Sequence, residues 1–248
     1  KTGRNYSGLC PFHSEKAPSF TVNPARQMFH CFGCGQGGSV FNFLMLYHNV
    51  AFPEAVRQLG QKYGIVVSTK KLSTAEKKEL EQRSLVFDIN KEACRYYQKC
   101  LNAPTGREAR EDLAKRKIGE EIVERFSLGF APKGWENIVR FFGSKRTSMG
   151  LVEKAGLVIK KKGGFYDRFR SRVVFPITDI HGRVLGFGGR ALDDSLPKYL
   201  NSPETLVYYK GRTLYGLEFS RGACRRENVV FVVEGYFDLL ALHSKGVE

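Results

Sequence analysis

The sequence predicts an α+β fold, a small metal-bound ribbon followed by a larger mixed α/β body, and three observations point to it. Two short pairs, Cys10-x-x-His13 and Cys31-x-x-Cys34, sit among alternating apolar runs in the first 34 residues. From residue 74 to about 126 the apolar residues recur at helical spacing. Beyond residue 172 the period shortens to strand-like runs at 173–177, 183–187 and 229–233.

The elements follow in order. Residues 19–22 and 27–32 alternate like two strands joined at Asn23-Pro24-Ala25-Arg26. Ser39 is placed to cap a helix through Phe41–Tyr47, Pro53 suits the first turn of a second helix, and Gly64 can end it. Residues 68–74 are polar and read as a linker. Thr74 to Leu101 spaces Leu80, Leu85, Ile89, Ala93 and Tyr97 along one long amphipathic helix with room for a single break. Shorter helical patterns occupy 107–117 and 120–126. His181-Gly182 is a turn signal between the strands at 173–177 and 183–187. The run Val229-Val230-Phe231-Val232-Val233 fits a strand buried on both faces. Glu234-Gly235 and a helix carrying Leu239, Leu240 and Leu242 follow it.

With 42% apolar and 26% charged residues over 248 positions, the chain suits one or two globular domains. No apolar run approaches the 18 residues of a membrane span. It begins at Lys1 without methionine or signal region and stops just past a helical pattern, so it reads as an excised fragment. The net charge of +15 is uneven. Residues 133–172 hold eleven Lys and Arg against three acids, whereas residues 173–248 balance nine against nine. Such a block predicts a polyanionic partner. Gly143, Gly150, Gly156, Gly163 and Gly164 interrupt any membrane-binding helix there, which favours nucleic acid.

Three of the six cysteines crowd the first 34 residues, and clustered thiols in a basic chain without a secretory signal point to metal. Cys10, His13, Cys31 and Cys34 make a Cys₃His set suited to one tetrahedral Zn²⁺, structural because no position stays open for a reacting water. Pro11 stiffens the first knuckle, and Gly33 and Gly35 supply the backbone angles of the second. Such a ribbon would present Phe20, Phe29 or Phe32 beside Arg4, Lys16 and Arg26 as a stacking platform for single-stranded bases, although most of these rings are expected to form its core. Cys94, Cys100 and Cys224 read as buried thiols, His48, His181 and His243 lack partners at ligand spacing, and no phosphate-loop motif is present.

The string Cys10-Pro11-Phe12-His13-x-Glu15-Lys16-x-Pro18-Ser19-Phe20, with Cys31-Phe32-Gly33-Cys34-Gly35, resembles the zinc-binding domain of bacterial replicative primases. The similarity extends through Gly129-Phe130-Ala131-Pro132 with Gly134-Trp135, Tyr166–Arg172, Gly186-Phe187-Gly188-Gly189-Arg190, Lys198–Thr205, Lys210-Gly211-Arg212 and Val233-Glu234-Gly235-Tyr236-x-Asp238. It implies a zinc ribbon over 1–67, a linker over 68–82, the basic N-terminal lobe of an RNA polymerase domain over 83–228, and the truncated start of a TOPRIM catalytic subdomain over 229–248. The implied activity is synthesis of short RNA primers on single-stranded DNA by nucleotidyl transfer from ribonucleoside triphosphates, leaving an RNA–DNA hybrid. The implied location is the cytoplasmic replication fork. The family's Asp-x-Asp pair and its helicase-contacting C-terminal domain would lie past Glu248, which implies that this chain alone is inactive.

Within that resemblance Glu234, at the end of the 229–233 run, is expected to hold catalytic Mg²⁺, with Asp238 one helical turn on as an assisting carboxylate. Arg168, Arg170 and Arg172 recur at period two, so all three can face one side of a sheet as a cationic stripe. Arg190, Lys198, Lys210 and Arg212 are candidates for triphosphates and template backbone. By analogy Tyr199 and Asn201 lie beside them, and Arg116 is a weaker basic candidate. Lys160-Lys161-Lys162 reads as a solvated face and Asp193-Asp194 as surface. A non-catalytic zinc-ribbon module for single-stranded DNA and the primase half of a phage primase–helicase are the alternatives.

Overall fold

The computed structural model describes residues 3–65, 67 and 73–248, and the chain divides into two compact units, Lys1–Lys71 and Leu72–Glu248. In the first, β1 (Tyr6–Gly8), β2 (Phe20–Asn23), β3 (Met28–Cys31) and β4 (Gly37–Ser39) form an antiparallel sheet in that order. Helices α1 (Val40–His48) and α2 (Phe52–Lys62) follow. Ser39 occupies the N-cap of α1, Pro53 lies in the first turn of α2, and Gly64 takes a left-handed φ of 66° just past its end. The register sets Phe20 opposite Cys31 and Val22 opposite Phe29. Phe12, Phe20, Phe29 and Phe43 then meet with ring centroids 5.3–6.0 Å apart. Four rings are a small core for a unit of this size.

The second unit opens with α3 (Thr74–Asn102), a continuous helix without the break allowed for above. Ser73 Oγ accepts the Glu76 N–H while the Glu76 carboxylate accepts the Ser73 N–H, so the helix starts inside the stretch 68–82 taken as linker. Of that stretch, 74–82 is helical and 68–72 lies outside the described residues. Next come α4 (Arg107–Lys115), α5 (Glu120–Arg125), β5 (Gly129–Ala131), α6 (Asn137–Ser144) and α7 (Met149–Lys154). Strands β6 (Val158–Lys161), β7 (Gly164–Asp167), β8 (Arg172–Thr178), β9 (Val184–Ala191) and β10 (Tyr199–Asn201) follow, then α8 (Leu217–Glu227) and α9 (Tyr236–Ser244).

An antiparallel sheet in the order β10-β9-β8-β5 forms the centre of this unit, and β6 and β7 make a separate hairpin. Helices cover both faces. Val174 and Phe187 pack with Val86, Ala93 and Tyr97 of α3, whereas Val173 and Phe175 pack with Leu113, Ile122 and Leu240. At Gly129 a Cβ would lie 2.5 Å from Tyr97 Cβ, so glycine is what lets α3 lie directly on β5.

One expected element is absent. Residues 229–233 form no strand, and Val232 is 81% exposed. A strand exists only through hydrogen bonds to a neighbour, and among the described residues none runs beside this segment, so its apolar sequence does not suffice. The two-face burial expected there occurs instead in β8, whose residues Arg172–Ile177 are all buried.

Candidate functional site

The two knuckles converge. Ligand atoms of Cys10, His13, Cys31 and Cys34 all lie within 4.8 Å of one another. Around a tetrahedral zinc with bonds of about 2.3 Å, sulfurs stand roughly 3.8 Å apart. Cys10 Sγ is 3.9 Å from Cys34 Sγ, and Cys31 Sγ is 3.8 Å from His13 Nδ1. The geometry and the S₃N donor set therefore fit structural zinc. Backbone N–H groups of Phe12 and Cys34 point at Cys10 Sγ and Cys31 Sγ, each at 3.4 Å. Burial pushes the Cys31 thiol up, but the Ser19 hydroxyl and the N–H groups of Cys34 and Gly33 outweigh it and bring it down to about 6. Burial raises the Cys10 thiol.

Glu15 braces this site, a role that its place between the knuckles did not reveal. Its Oε1 accepts the N–H of Cys10 at 2.7 Å and of Ser19 at 3.1 Å, and its Oε2 lies 3.2 Å from His13 Nε2. A carboxylate on the second imidazole nitrogen fixes the ring for its ligand role. The Ser19 hydroxyl holds the Glu15 carboxyl below its ordinary range. Of the two turn glycines, Gly35 acts as expected and Gly33 does not. Gly35 has the left-handed φ of 74°, whereas Gly33 is needed for space, because a Cβ there would meet His13 Nε2 at 2.7 Å. Phe20 and Phe29 are buried in the ribbon core and cannot stack with bases, which leaves Phe32, 76% exposed, as the ring able to do so.

In the second unit a cleft of about 350 Å³ is lined by Lys133, Trp135, Arg168, Arg170, Arg172 and Asp193, among others. The three arginines share this cleft but form no strand stripe. Only Arg172 lies in β8; residues 168–171 belong to no strand, and Ser171 takes a left-handed φ of 49°, which breaks the period. Arg172 is itself buried, donating to the carbonyls of Pro197 at 2.7 Å and Lys198 at 3.1 Å. Its donors hold the loop before β10. Arg168 is half-buried, burial pushes its guanidinium down, and its buried Nε has no partner among the described residues. The Arg170 guanidinium lies 4.2 Å from the Trp135 ring centroid and 5.5 Å from that of Tyr166. Cationic groups over an aromatic face suit a phosphate backbone with a stacked base. Trp135, 62% exposed, belongs to the Gly134-Trp135 pair, yet no periodicity ties it to Arg170. Lys161 and Lys162 are exposed at the tip of the β6–β7 hairpin, and Asp193 and Asp194 are exposed as well.

Two other basic candidates form a separate cluster. Arg116 Nε and an Arg190 amino group share Asp112 Oδ2 at 2.9 and 3.1 Å, and both guanidinium groups lie over the Phe237 ring. Part of their charge is thus already matched. Lys198 and Tyr199 are exposed where β10 begins, and Arg212 lies over Tyr209.

A second cleft, of about 330 Å³, gathers Asn201, Lys210, Glu234 and Tyr236. Glu234 is exposed at its edge, carried by the irregular 229–233 segment and not by a sheet as its sequence suggests. Asp238 Oδ2 accepts the Gly235 N–H at 3.0 Å and so braces the start of α9. Of the scattered thiols, Cys94 is buried, which pushes it up to about 11, while Cys100 and Cys224 are partly exposed. No helix among the described residues is long and apolar enough to cross a membrane.

Comparison with known proteins gives concordant results. Residues 96–221 match the model of the DNA primase catalytic core, N-terminal domain, and residues 1–75 match the CHC2 zinc finger. DNA primase of Escherichia coli K12 is 44% identical over 248 residues, all of this chain and 43% of that protein. DNA primase of Synechococcus elongatus is 41% identical over 254 residues, 37% of its length. The chain thus spans about two fifths of the curated relatives it matches. Among solved structures, the Aquifex aeolicus primase zinc-binding and RNA polymerase domains are 38% identical with a TM-score of 0.61, covering 100% of this chain and 59% of that one. A DnaG primase catalytic domain bound to single-stranded DNA is 42% identical with a TM-score of 0.64, covering 68% and 53%.

Proposed function

Since this chain belongs to the DNA primase family, we propose that it supplies the zinc ribbon and template-binding lobe of an enzyme that synthesises short RNA primers on single-stranded DNA. The observation that carries this reading beyond a mere DNA-binding module is the cleft shared by Glu234, Lys210 and Asn201, since a module that only binds DNA needs no carboxylate there. The template lies across Arg168, Arg170 and Trp135, its phosphates meeting the guanidinium groups and a base meeting the indole. Exposed Lys198, Lys210 and Arg212 hold the ribonucleoside triphosphate by charged hydrogen bonds, beside Tyr199 and Asn201. Arg116 and Arg190, already sharing Asp112, contact the template or the RNA–DNA hybrid more weakly.

Glu234, an exposed carboxylate, would hold the Mg²⁺ that phosphoryl transfer needs, since hard divalent cations take carboxylate oxygen. Such an ion would supply charge neutralisation at the triphosphate and a lower pKa for the attacking hydroxyl. Asp238 assists by holding the Gly235 turn from which Glu234 projects. We further propose a replicative helicase as a partner of the full-length protein and the cytoplasmic replication fork as its site of action. The test is incorporation of labelled ribonucleotides on a single-stranded template by a protein of the relatives' full length carrying this chain. Glu234→Gln should abolish synthesis and change DNA affinity less than about threefold, or ~0.65 kcal/mol. Normal synthesis by the variant removes Glu234 from the mechanism.

A further inference from the structure

The template cleft owes its shape to a residue that does not face a ligand. Asp167, at the end of β7, is fully buried, and its carboxylate accepts the N–H of Ile138 at 2.9 Å and of Val139 at 3.1 Å. These are orphan donors in the first turn of α6, whose own N-cap residue, Glu136, makes no side-chain cap. The backbone of Asp167 is engaged too. Its N–H donates to the Trp135 carbonyl at 2.7 Å, and its carbonyl accepts from the Arg170 guanidinium. Four bonds from one residue thus tie the segment before α6, which carries Trp135, to the segment after β7, which carries Arg170.

We infer that Asp167 is a positioning residue for template binding: by capping α6 from β7 it fixes Trp135 beneath Arg170. The inference rests on the cleft reading proposed above. Burial alone would expel a carboxylate, and the N–H groups of α6 supply the compensation. Burial does raise the Asp167 carboxyl, with the Ile138 and Val139 N–H groups opposing the rise. Gly134, at a φ of 126°, lets the chain turn into this arrangement, and Asn137 donates to the carbonyls of Pro132 and Lys133 at 3.3 Å each.

Trp135 is the chain's one tryptophan, so its fluorescence reports this cleft alone. Single-stranded oligonucleotide added to the zinc-loaded chain should quench Trp135. Asp167→Asn, which removes the charge and one acceptor, should shift the emission before DNA is added and weaken affinity about tenfold, as loss of one charged contact does. Glu136→Asp in that background restores a cap at the helix end without rejoining it to β7. It should recover thermal stability, and also folding if the single variant unfolds, while emission and affinity stay altered. A merely structural Asp167 would recover all three together, and that result overturns the inference, as does an Asp167→Asn protein with wild-type emission and affinity. A wild-type Trp135 indifferent to DNA overturns the cleft reading itself and the inference with it.

Discussion

The Tyr236 hydroxyl donates to Asn201 Oδ1 at 2.8 Å. This bond ties the first residue of α9 to the end of β10. The Tyr236 ring stacks on Phe175 at 4.7 Å with planes 8° apart, and it lies over Gly188, where a Cβ would meet ring atoms at 2.5 Å. The paired strands at Gly188 and Asn201 and the distant string around Glu234 therefore meet at one phenol two residues after Glu234. The exposed 229–234 segment is anchored to the sheet at this point.

Tyr236→Phe should lower stability by about 1 kcal/mol, because Asn201 Oδ1 loses its donor in a partly buried place. For a unit of this size that is roughly 2–4 °C in Tm. Gly188→Ala should cost more, about 1–3 kcal/mol, since the ring must move. Thermal unfolding of both variants checks this, and an unperturbed Gly188→Ala would show that the ring does not rest there.

Removing zinc should unfold the first unit and spare the second. Structural zinc contributes about 10–16 kcal/mol of apparent binding energy, beyond what four phenylalanines supply. Chelation should therefore abolish the ribbon's protection from proteolysis while leaving Trp135 emission unchanged, because that residue belongs to the second unit. Elemental analysis should give about one Zn²⁺ per chain, and a folded ribbon without metal contradicts the assignment.

Replacing Arg168 and Arg170 together should flatten the salt dependence of single-stranded DNA binding. At a slope of about −0.7 per neutralised phosphate, losing two contacts changes the log–log slope by roughly 1.4. An unchanged slope would assign both arginines elsewhere.

Asp179 should give the β8–β9 hairpin an acid-labile component. Burial raises its carboxyl, but bonds from the Arg183 and His181 N–H groups and the Arg183 guanidinium outweigh that and hold it below the ordinary range. A depressed folded value means the stabilisation is complete above the unfolded value of about 3.9 and is lost as pH falls through the folded one. Denaturant unfolding between pH 7 and pH 2 should show this loss, and Asp179→Asn should be weaker by about 1 kcal/mol at pH 7 with a shallower acid decline.

What the sequence determined by itself is local or carried by spacing. The knuckle pairs specified a metal cluster because two-residue gaps fix how two ligands turn toward one ion. Ser39, Pro53, Gly64 and His181-Gly182 marked boundaries through backbone preferences that need no distant partner. The long helix from Thr74 followed from its apolar period. Tertiary structure decided the rest, because those outcomes depend on groups meeting across the chain. Val229–Val233 has the composition of a buried strand and, among the described residues, lacks the neighbour that would make it one. Arg168, Arg170 and Arg172 look equivalent in the sequence, yet Arg172 is drawn onto the carbonyls of Pro197 and Lys198 while Arg168 keeps a buried Nε without a partner among the described residues. Asp167 and Tyr236 gave no periodic signal at all, since a cap supplied from another element and a phenol reaching another strand arise only once the sheet has brought them together.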